Sequence, residues 1–247
     1  MKDIFSKLAV EYSQFRPQYP DEMIAYIVSF VENKSVALDI ATGNGQVAHK
    51  LSCYFDTVYA TDISENQLSN AIATDNIIYK KEAAENTTFQ NQQFDLITVA
   101  QAIHWFDFDN IYKEIYRILK PDGYFAVLGY GLFSTNAHSD KIIQNYYHTI
   151  VGPYWDKERI YLDENYETIP FPLEEIDTEK FQNDFTWSFE QVIGYLRTWS
   201  ATQHYIESNN HNPIDIIHDE LKDSWELGNR KVSFPLLLRI GKLKQYY

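Results

Sequence analysis

The chain has 247 residues, 45% of them hydrophobic, which is enough to bury a full core, and α/β folds of this size often form one domain with a small insertion. Its formal net charge of −14 repels a phosphate backbone and no run of Lys and Arg forms a basic stripe, so nucleic acid and anionic membrane surfaces are not expected partners. A single cysteine, Cys53, allows no internal disulfide, and nothing near it resembles a metal-ligand cluster, so no metal is expected.

The opening stretch, MKDIFSKLAVEYSQFRPQYP, lacks the apolar core of about 7–15 residues of a signal peptide, and no segment reaches the roughly 18 apolar residues of a membrane span. A cytoplasmic location is expected. Phe5, Leu8, Ala9 and Tyr12 recur at helical spacing and predict a short amphipathic helix that the Arg16-Pro17 step ends. A second helix starts at Pro20-Asp21, with acids in its first turn, and runs through Met23, Ile24, Ile27, Val28 and Val31. SVALDI, from Ser35, is a short apolar run before a glycine turn, and Gln46 to Tyr54 then reads as a helix. Thr57 to Thr61 is the next strand, and Ser64-Glu65-Asn66-Gln67 has a capping-box pattern that opens a helix with Leu68, Ala71 and Ile72 inward. Ile77 to Lys80 is a brief strand and FDLITVA, from Phe94, a buried one. Ile111, Ile115, Ile118 and Leu119 stripe a helix that stops at Pro121-Asp122-Gly123, before a fifth strand, YFAVLGY, from Tyr124. Five strands alternating with helices predict a doubly wound α/β fold, because parallel neighbours need right-handed crossovers.

After Gly131 the alternation is lost. A helical stretch over about Asp140 to Val151 precedes an aromatic, Pro-containing segment through Trp155, Tyr161, Tyr166, Pro170 and Pro172, read as a lid over the carboxyl edge of the sheet. Phe181 to Trp187 is expected to return to the sheet, and Phe189 to Glu207 and Pro213 to Trp225 to be helical. KVSFPLLLRIGKLK closes the chain as a strand in which Pro235 suggests an edge position or a bulge. The expected organisation is one domain over 1–247, with a ligand-binding core at 34–131, a cap at 132–180 and completion of the sheet and helices at 181–247.

Gly43-x-Gly45-x-x-Ala48 after a strand, with Asp62 nineteen residues beyond Gly43, fits the dinucleotide fingerprint. Its glycines let backbone approach a ligand, the helix N-terminus favours an anionic group, and the strand-end acid can accept both ribose hydroxyls. On this stretch alone NAD and any other adenosine-bearing ligand remain open. Taken singly, Asp39 could be a helix cap or turn acid and Asp62 a helix cap, but the two together favour a ligand site.

Four further features resemble class I S-adenosylmethionine-dependent methyltransferases of the type 11 kind, over about Tyr12 to Tyr130. They are Asp39 before the glycine turn, Asp62 in VYATDIS at the ribose position, Ala84-Glu85 in the loop after the third strand, and RILKPDGYFAV at the junction into the fifth. Tyr12, Arg16-Pro17, Tyr19-Pro20 and VAQAIHWFD, from Val99 to Asp107, are most similar to the branch containing trans-aconitate methyltransferases. The resemblance implies a Rossmann-like, mostly parallel, seven-stranded sheet in the order 3-2-1-4-5-7-6, with S-adenosyl-L-methionine as cofactor. It implies a cofactor site made of Tyr12, Arg16, Asp39, Ala41, Thr42, Gly43, Gly45, Gln46, Asp62, Ile63, Gln67, Ala83, Ala84, Glu85, Ala100, Gln101 and Ala102. His104 would face the acceptor as a base or a contact, together with Trp105, Tyr130 and Tyr12.

Two positions depart from the family pattern. Ala41 stands where its first glycine is usual, which alanine tolerates only if φ stays negative, and Ala83 stands where an acid commonly meets the adenine amino group, leaving Glu82, Glu85 or backbone groups alone to do so. His104 has equal weight as a structural histidine, and Trp105 and the tyrosine-rich segment are more often packing, although aromatic faces can stabilise a sulfonium. The HWF resemblance favours O-methylation of a small carboxylic acid, for which Arg159, Arg197 and Arg239 are the candidate cations. A small-molecule acceptor is the expected partner, with monomer and homodimer both open. Two alternatives are a cofactor-binding protein without transferase activity and an NAD-dependent oxidoreductase.

Overall fold

Val36-Ala-Leu-Asp-Ile40 forms a strand, β1, that is buried at all but its first position, and Phe94–Ala100 (β4) is buried at all but its last. Such near-continuous apolar runs belong to strands covered on both faces, and the two lie side by side in register at the centre of the sheet. The computed structural model describes residues 15–244; the predicted N-terminal helix and Tyr12 lie outside the described residues.

The other strands are β2 (Thr57–Asp62), β3 (Ile77–Lys81), β5 (Leu119–Tyr130), β6 (Glu174–Ile176), β7 (Phe181–Thr186) and β8 (Lys231–Lys242). They lie in the order β3-β2-β1-β4-β5-β8-β6, with β7 also on β8. β1 to β5 are parallel, and β8 runs antiparallel to β5, β6 and β7. This is the expected Rossmann-like sheet with the chain-terminal strand next to β5, and the outermost place is divided between two short strands instead of one. β6 takes the Gly241 end of β8 and β7 the Pro235 end.

Successive residues of β1 serve opposite faces. Ala37 joins the layer that holds Met23, Ile24, Ile27 and Val28 of α1 (Asp21–Ser29), together with Tyr146, Trp225 and Phe234. Leu38 and Ile40 join the layer that holds Ile111, Ile115 and Ile118 of α4 (Phe108–Ile118). Asp107 caps α4 by accepting from the Asn110 N–H at 2.9 Å.

Several boundaries differ from expectation, each for a local reason. α2 (Gln46–Leu51) ends three residues before Tyr54. α3 (Glu65–Ser69) is capped by the Ser64 hydroxyl, which accepts from Gln67 N at 3.3 Å, but it ends before Ala71 and Ile72, and its buried residue is Gln67. α4 stops at Ile118 because Leu119 already pairs with Phe94, and Lys120, preceding Pro121, is disfavoured in a helix; a register shift in β5 absorbs the Pro-Asp-Gly step.

Beyond β5, α5 (Ala137–Asn145) is capped by Asn136 and runs into a π-helical turn over Tyr146–Ile150. Two 3-10 turns, Gly152–Tyr154 and Lys157–Arg159, lead into α6 (Ile160–Asp163). The predicted helix over 189–207 is two helices, α7 (Phe189–Arg197) and α8 (Ser200–Asn209), and α9 (His218–Leu227) follows a 3-10 turn at Pro213–Ile216. Pro235 is not at an edge. Its carbonyl accepts from Gly131 N just past the end of β5, so the N–H that proline lacks would face the place where that ladder stops. Among the described residues no helix is long and apolar enough to cross a membrane.

Candidate active site

The strand order reverses between β1 and β4, and ligands in open α/β sheets bind at the carboxyl ends beside such a switch point. A cavity lies there with about 910 Å³ of empty space, part of it open to solvent. Its lining brings together fourteen of the sequence-predicted residues: Arg16, Asp39, Ala41, Thr42, Gly43, Gln46, Asp62, Ile63, Gln67, Ala100, Gln101, Ala102, Trp105 and Tyr130. Pro17, Tyr19, Asn44, Val47 and Ser64 also line it. Asn44 lies inside the glycine-turn segment that the sequence marks for the cofactor, Pro17, Val47 and Ser64 are chain neighbours of predicted residues, and Tyr19 was not among the predicted site residues.

Ala41 corrects an expectation: its φ is +52°, in the left-handed region, at a cost of about 1–2 kcal/mol for an alanine. The turn is imposed by Thr42, whose N–H must reach the Thr61 carbonyl of β2 at 2.9 Å. Gln101, at the end of β4, is held the same way at φ +54°, with its N–H on Leu128 O at 2.9 Å and its side-chain amide donating to Tyr130 O at 3.1 Å. Two strained residues on neighbouring strand ends thus flank the cavity, as strain at sites of ligand chemistry often does.

The two glycines part company. Gly43 (φ +57°) faces open space, the nearest atom to a built Cβ being Gln67 Oε1 at 3.9 Å. Gly45 (φ +83°) does not line the cavity; a Cβ there would stand 2.1 Å from the Tyr79 hydroxyl, so this glycine serves packing against β3.

Asp39 is 1% exposed and accepts from the Thr42 hydroxyl at 2.5 Å and the Thr98 hydroxyl at 2.7 Å. Burial pushes its carboxyl up to about 6, with a further push from the Asp62 charge, against the pull of the two hydroxyls. Asp62 accepts from Gly43 N at 2.9 Å and Ser64 N at 2.8 Å, tying the glycine loop to the start of α3.

Ala83, Ala84 and Glu85 are not brought to the cavity. After β3 the chain turns back toward α4: Ala83 bridges to Asn86, Ala84 is buried in the α4 layer, and the Glu85 carboxylate accepts from Asp107 N at 3.4 Å. Thr87 N anchors this turn on the Glu114 carboxylate at 2.9 Å, and Glu82 is occupied by Lys80 at 3.0 Å and Thr88 N at 3.1 Å.

A second cavity, with about 420 Å³ of empty space, adjoins the first across Arg16, Gln101 and Trp105. His104, Trp155, Asp156, Arg159, Leu162 and Ser200 complete it. His104 sits in a 3-10 turn, 4% exposed, with Nδ1 3.0 Å from the Tyr166 hydroxyl. Burial, then the Arg159 charge, lowers its pKa to about 3, so the ring is neutral at pH 7. Tyr166 itself stands at φ +62°, its carbonyl accepting from Arg239 Nη1 at 2.9 Å, and its ring passes where a Cβ on Gly129 would lie 2.5 Å away.

Of the three arginines named as candidate cations, only Arg159 lines this space. Its guanidinium lies over Trp155 (4.7 Å) and Tyr147 (5.2 Å) and donates to the Tyr147 hydroxyl at 2.6 Å. Arg197 is exposed, and Arg239 is spent on Glu175 at 2.6 and 2.7 Å. Arg16 donates to the Tyr130 hydroxyl at 3.1 Å and to Thr198 O at 3.0 Å, joining the residues before α1 to both cavities.

Residues 38–127 match the Methyltransferase domain family. A Dictyostelium discoideum protein with a provisional methyltransferase name is 33% identical over 249 residues, covering 97% of this chain and 95% of that one. The chain belongs to the class I S-adenosylmethionine-dependent methyltransferases. A solved structure from Anaeromyxobacter dehalogenans, provisionally described as a type II methyltransferase, is 30% identical with a TM-score of 0.85 over 94% of this methyltransferase and 100% of that chain. A Haemonchus contortus phosphoethanolamine N-methyltransferase, solved with S-adenosylhomocysteine and phosphomonomethylethanolamine, shares the fold at 18% identity, with a TM-score of 0.51 over 98% of this chain and 60% of that one.

The cofactor of this methyltransferase is S-adenosylmethionine, and the readings as an NAD enzyme or a non-transferring binder fall away. The residues present fit that group. Gly43 leaves its side of the cavity clear, and two buried acids, Asp39 and Asp62, set negative potential against a cationic cofactor.

Proposed function

We propose that the enzyme methylates a carboxylate oxygen of a small metabolite, on a site formed by the second cavity, as the trans-aconitate branch resemblance implies. The observation that carries this reading is the Arg159 guanidinium, held against the Trp155 and Tyr147 rings in a space that adjoins the larger cavity. Asp39, Asp62 and the Ala100-Gln101-Ala102 strand end would hold the cofactor in the larger cavity, and Arg16, Gln101 and Trp105 border the opening through which its methyl group would meet the acceptor. When bound, it supplies a methyl group made electrophilic by positively charged sulfur.

The acceptor oxygen's lone pair forms the new C–O bond while the C–S bond breaks, its electron pair staying on sulfur. No proton moves, because a carboxylate is already ionised at pH 7. His104 is therefore an acceptor contact and not a base, in keeping with its neutral, buried ring and with Nδ1 engaged by Tyr166. Holding the two reactants in line supplies several of the roughly 7–11 kcal/mol available from proximity. Residues 132–180 act as the cap that excludes water, in a single domain whose cofactor-binding core is 34–131, and the reaction is cytoplasmic.

The test is methyl transfer from isotope-labelled cofactor to a panel of metabolites, with products located by mass spectrometry. Methyl esters of small acids are expected; products at amines or thiols alone would refute the reading.

A further inference from the structure

Tyr147 holds two walls of the second cavity at once. Its carbonyl accepts from the Trp155 indole N–H at 3.2 Å, and its hydroxyl accepts from Arg159 Nε at 2.6 Å. Trp155 and Arg159 line that cavity, whereas Tyr147 is buried and does not. Burial pushes the Tyr147 phenol up, against the Arg159 charge, so the phenol keeps its proton and donates it to Asp163 Oδ1. Chemistry fixes the direction of this chain, since a guanidinium only donates and a carboxylate only accepts. The π-helical turn Tyr146–Ile150, closed by Val151 N on Tyr146 O at 2.9 Å, places Tyr147 there, and single π turns recur at functional sites.

The chain decides which edge of Arg159 is left for a ligand. Nε is spent in the cap, 2.6 Å from the Tyr147 hydroxyl and 3.4 Å from Asp163. Among the described residues no group accepts from Nη1 or Nη2, and neither nitrogen is shut off from the surface. Asp163 beside the guanidinium and Asp156 in the lining offset the two arginines of this space, so net charge does not draw an anion in. Recognition then falls to the direction of the fork, which meets a carboxylate with two parallel N–H groups only when turned toward it. We infer that Tyr147 is a positioning residue of the acceptor site, its hydroxyl pinning Arg159 by Nε so that both Nη groups meet the acceptor carboxylate. This rests on the carboxylate reading above and adds the group that orients its cation.

The experiment takes the acid that wild type methylates fastest among butanoate, succinate, malate and benzoate, and measures kcat and KM for Tyr147→Phe, Asp163→Ala, Arg159→Lys and the Tyr147→Phe/Arg159→Lys double variant. Tyr147→Phe keeps the ring and removes only the hydroxyl, and S-adenosylhomocysteine binding verifies that each variant is folded. Tyr147→Phe is expected to raise KM for the acid about tenfold with kcat changed less than about twofold. In the Arg159→Lys background, where no planar fork remains to be turned, the same change should add less than about twofold. Asp163→Ala separates orientation from charge: it frees the Tyr147 hydroxyl and is expected to raise KM, although it removes a negative charge beside Arg159. An equal loss from Tyr147→Phe in both backgrounds, a fall confined to kcat, no loss at all, or a KM that falls or stays level in Asp163→Ala overturns the Tyr147 assignment and leaves the carboxylate reading standing. If wild type methylates none of the acids, both readings fall together.

Discussion

Burial acts in opposite directions on two residues of the site. His104 is held neutral with a folded pKa of about 3 against an ordinary 6.5, while Asp39 is raised from 3.8 to about 6. Between about 3 and 6.5 the folded state binds less proton at His104 than the unfolded chain does, so His104 contributes stability that is complete above 6.5 and lost as pH falls through that window. Asp39 has the reverse sign, since its folded form takes up a proton first between 6 and 3.8 and gains stability on acidification. Removing the histidine isolates its share. His104→Gln is expected to gain stability relative to wild type by up to about 1.4 kcal/mol per pH unit as pH drops from 6.5 toward 4.5, read by urea unfolding at several pH values. A difference independent of pH would contradict a buried neutral His104. Asp39 and Asp62 were legible in the sequence because each sits at a strand end beside a glycine turn, a purely local pattern. Asp156 and Arg159 were not comparably legible: they stand just before and at the end of a three-residue 3-10 turn without periodicity, and nothing in their neighbours marks which of several acids or arginines turns inward.

Among the elements, the loop between β1 and α2 is braced from behind by β3. Gly45 gives up its side chain so that Tyr79 can lie against the loop and donate its hydroxyl to Ile72 O at 2.8 Å. Gly45→Ala combines a clash with a positive φ and is expected to destabilise the protein by about 2–3 kcal/mol. Adding Tyr79→Phe removes the 2.1 Å contact and should recover part of that loss, a non-additivity visible in a double-mutant cycle of chemical denaturation. Additive losses would mean that the two residues do not press on each other. The elements β1, β2, β4 and α4 were plain from periodicity, since each buries one stripe or two faces. The break between α7 and α8, the early stop of α4 and the paired β6 and β7 were not, because tertiary partners override weak local preference at helix ends and short strands. Pro235 shows the same: sequence reads it as an edge signal, yet it is tolerated inside the sheet where the neighbouring strand has ended.

For the whole molecule, the larger cavity, proposed above for the cofactor, joins β1, β2, β4 and the residues before α1, so filling it stabilises elements far apart in the chain. S-adenosylhomocysteine at about 100 times its Kd is expected to add roughly 2.7 kcal/mol, a rise in Tm of about 5–10 °C, while NAD adds nothing. A shift with NAD in place of S-adenosylhomocysteine in a thermal melt would refute the cofactor assignment. What the sequence determined by itself was the alternating α/β order and the residues that line the larger cavity along the strand ends, because apolar periodicity and glycine turns are set by covalent neighbours. The tertiary structure alone decided that Ala41 turns left-handed, that Ala83 to Glu85 fold away toward α4, and that Arg159, Asp156 and His104 share a second cavity. Each of those outcomes depends on a hydrogen bond or a packing contact made by residues distant in the chain, and no local pattern encodes which of many possible partners is met.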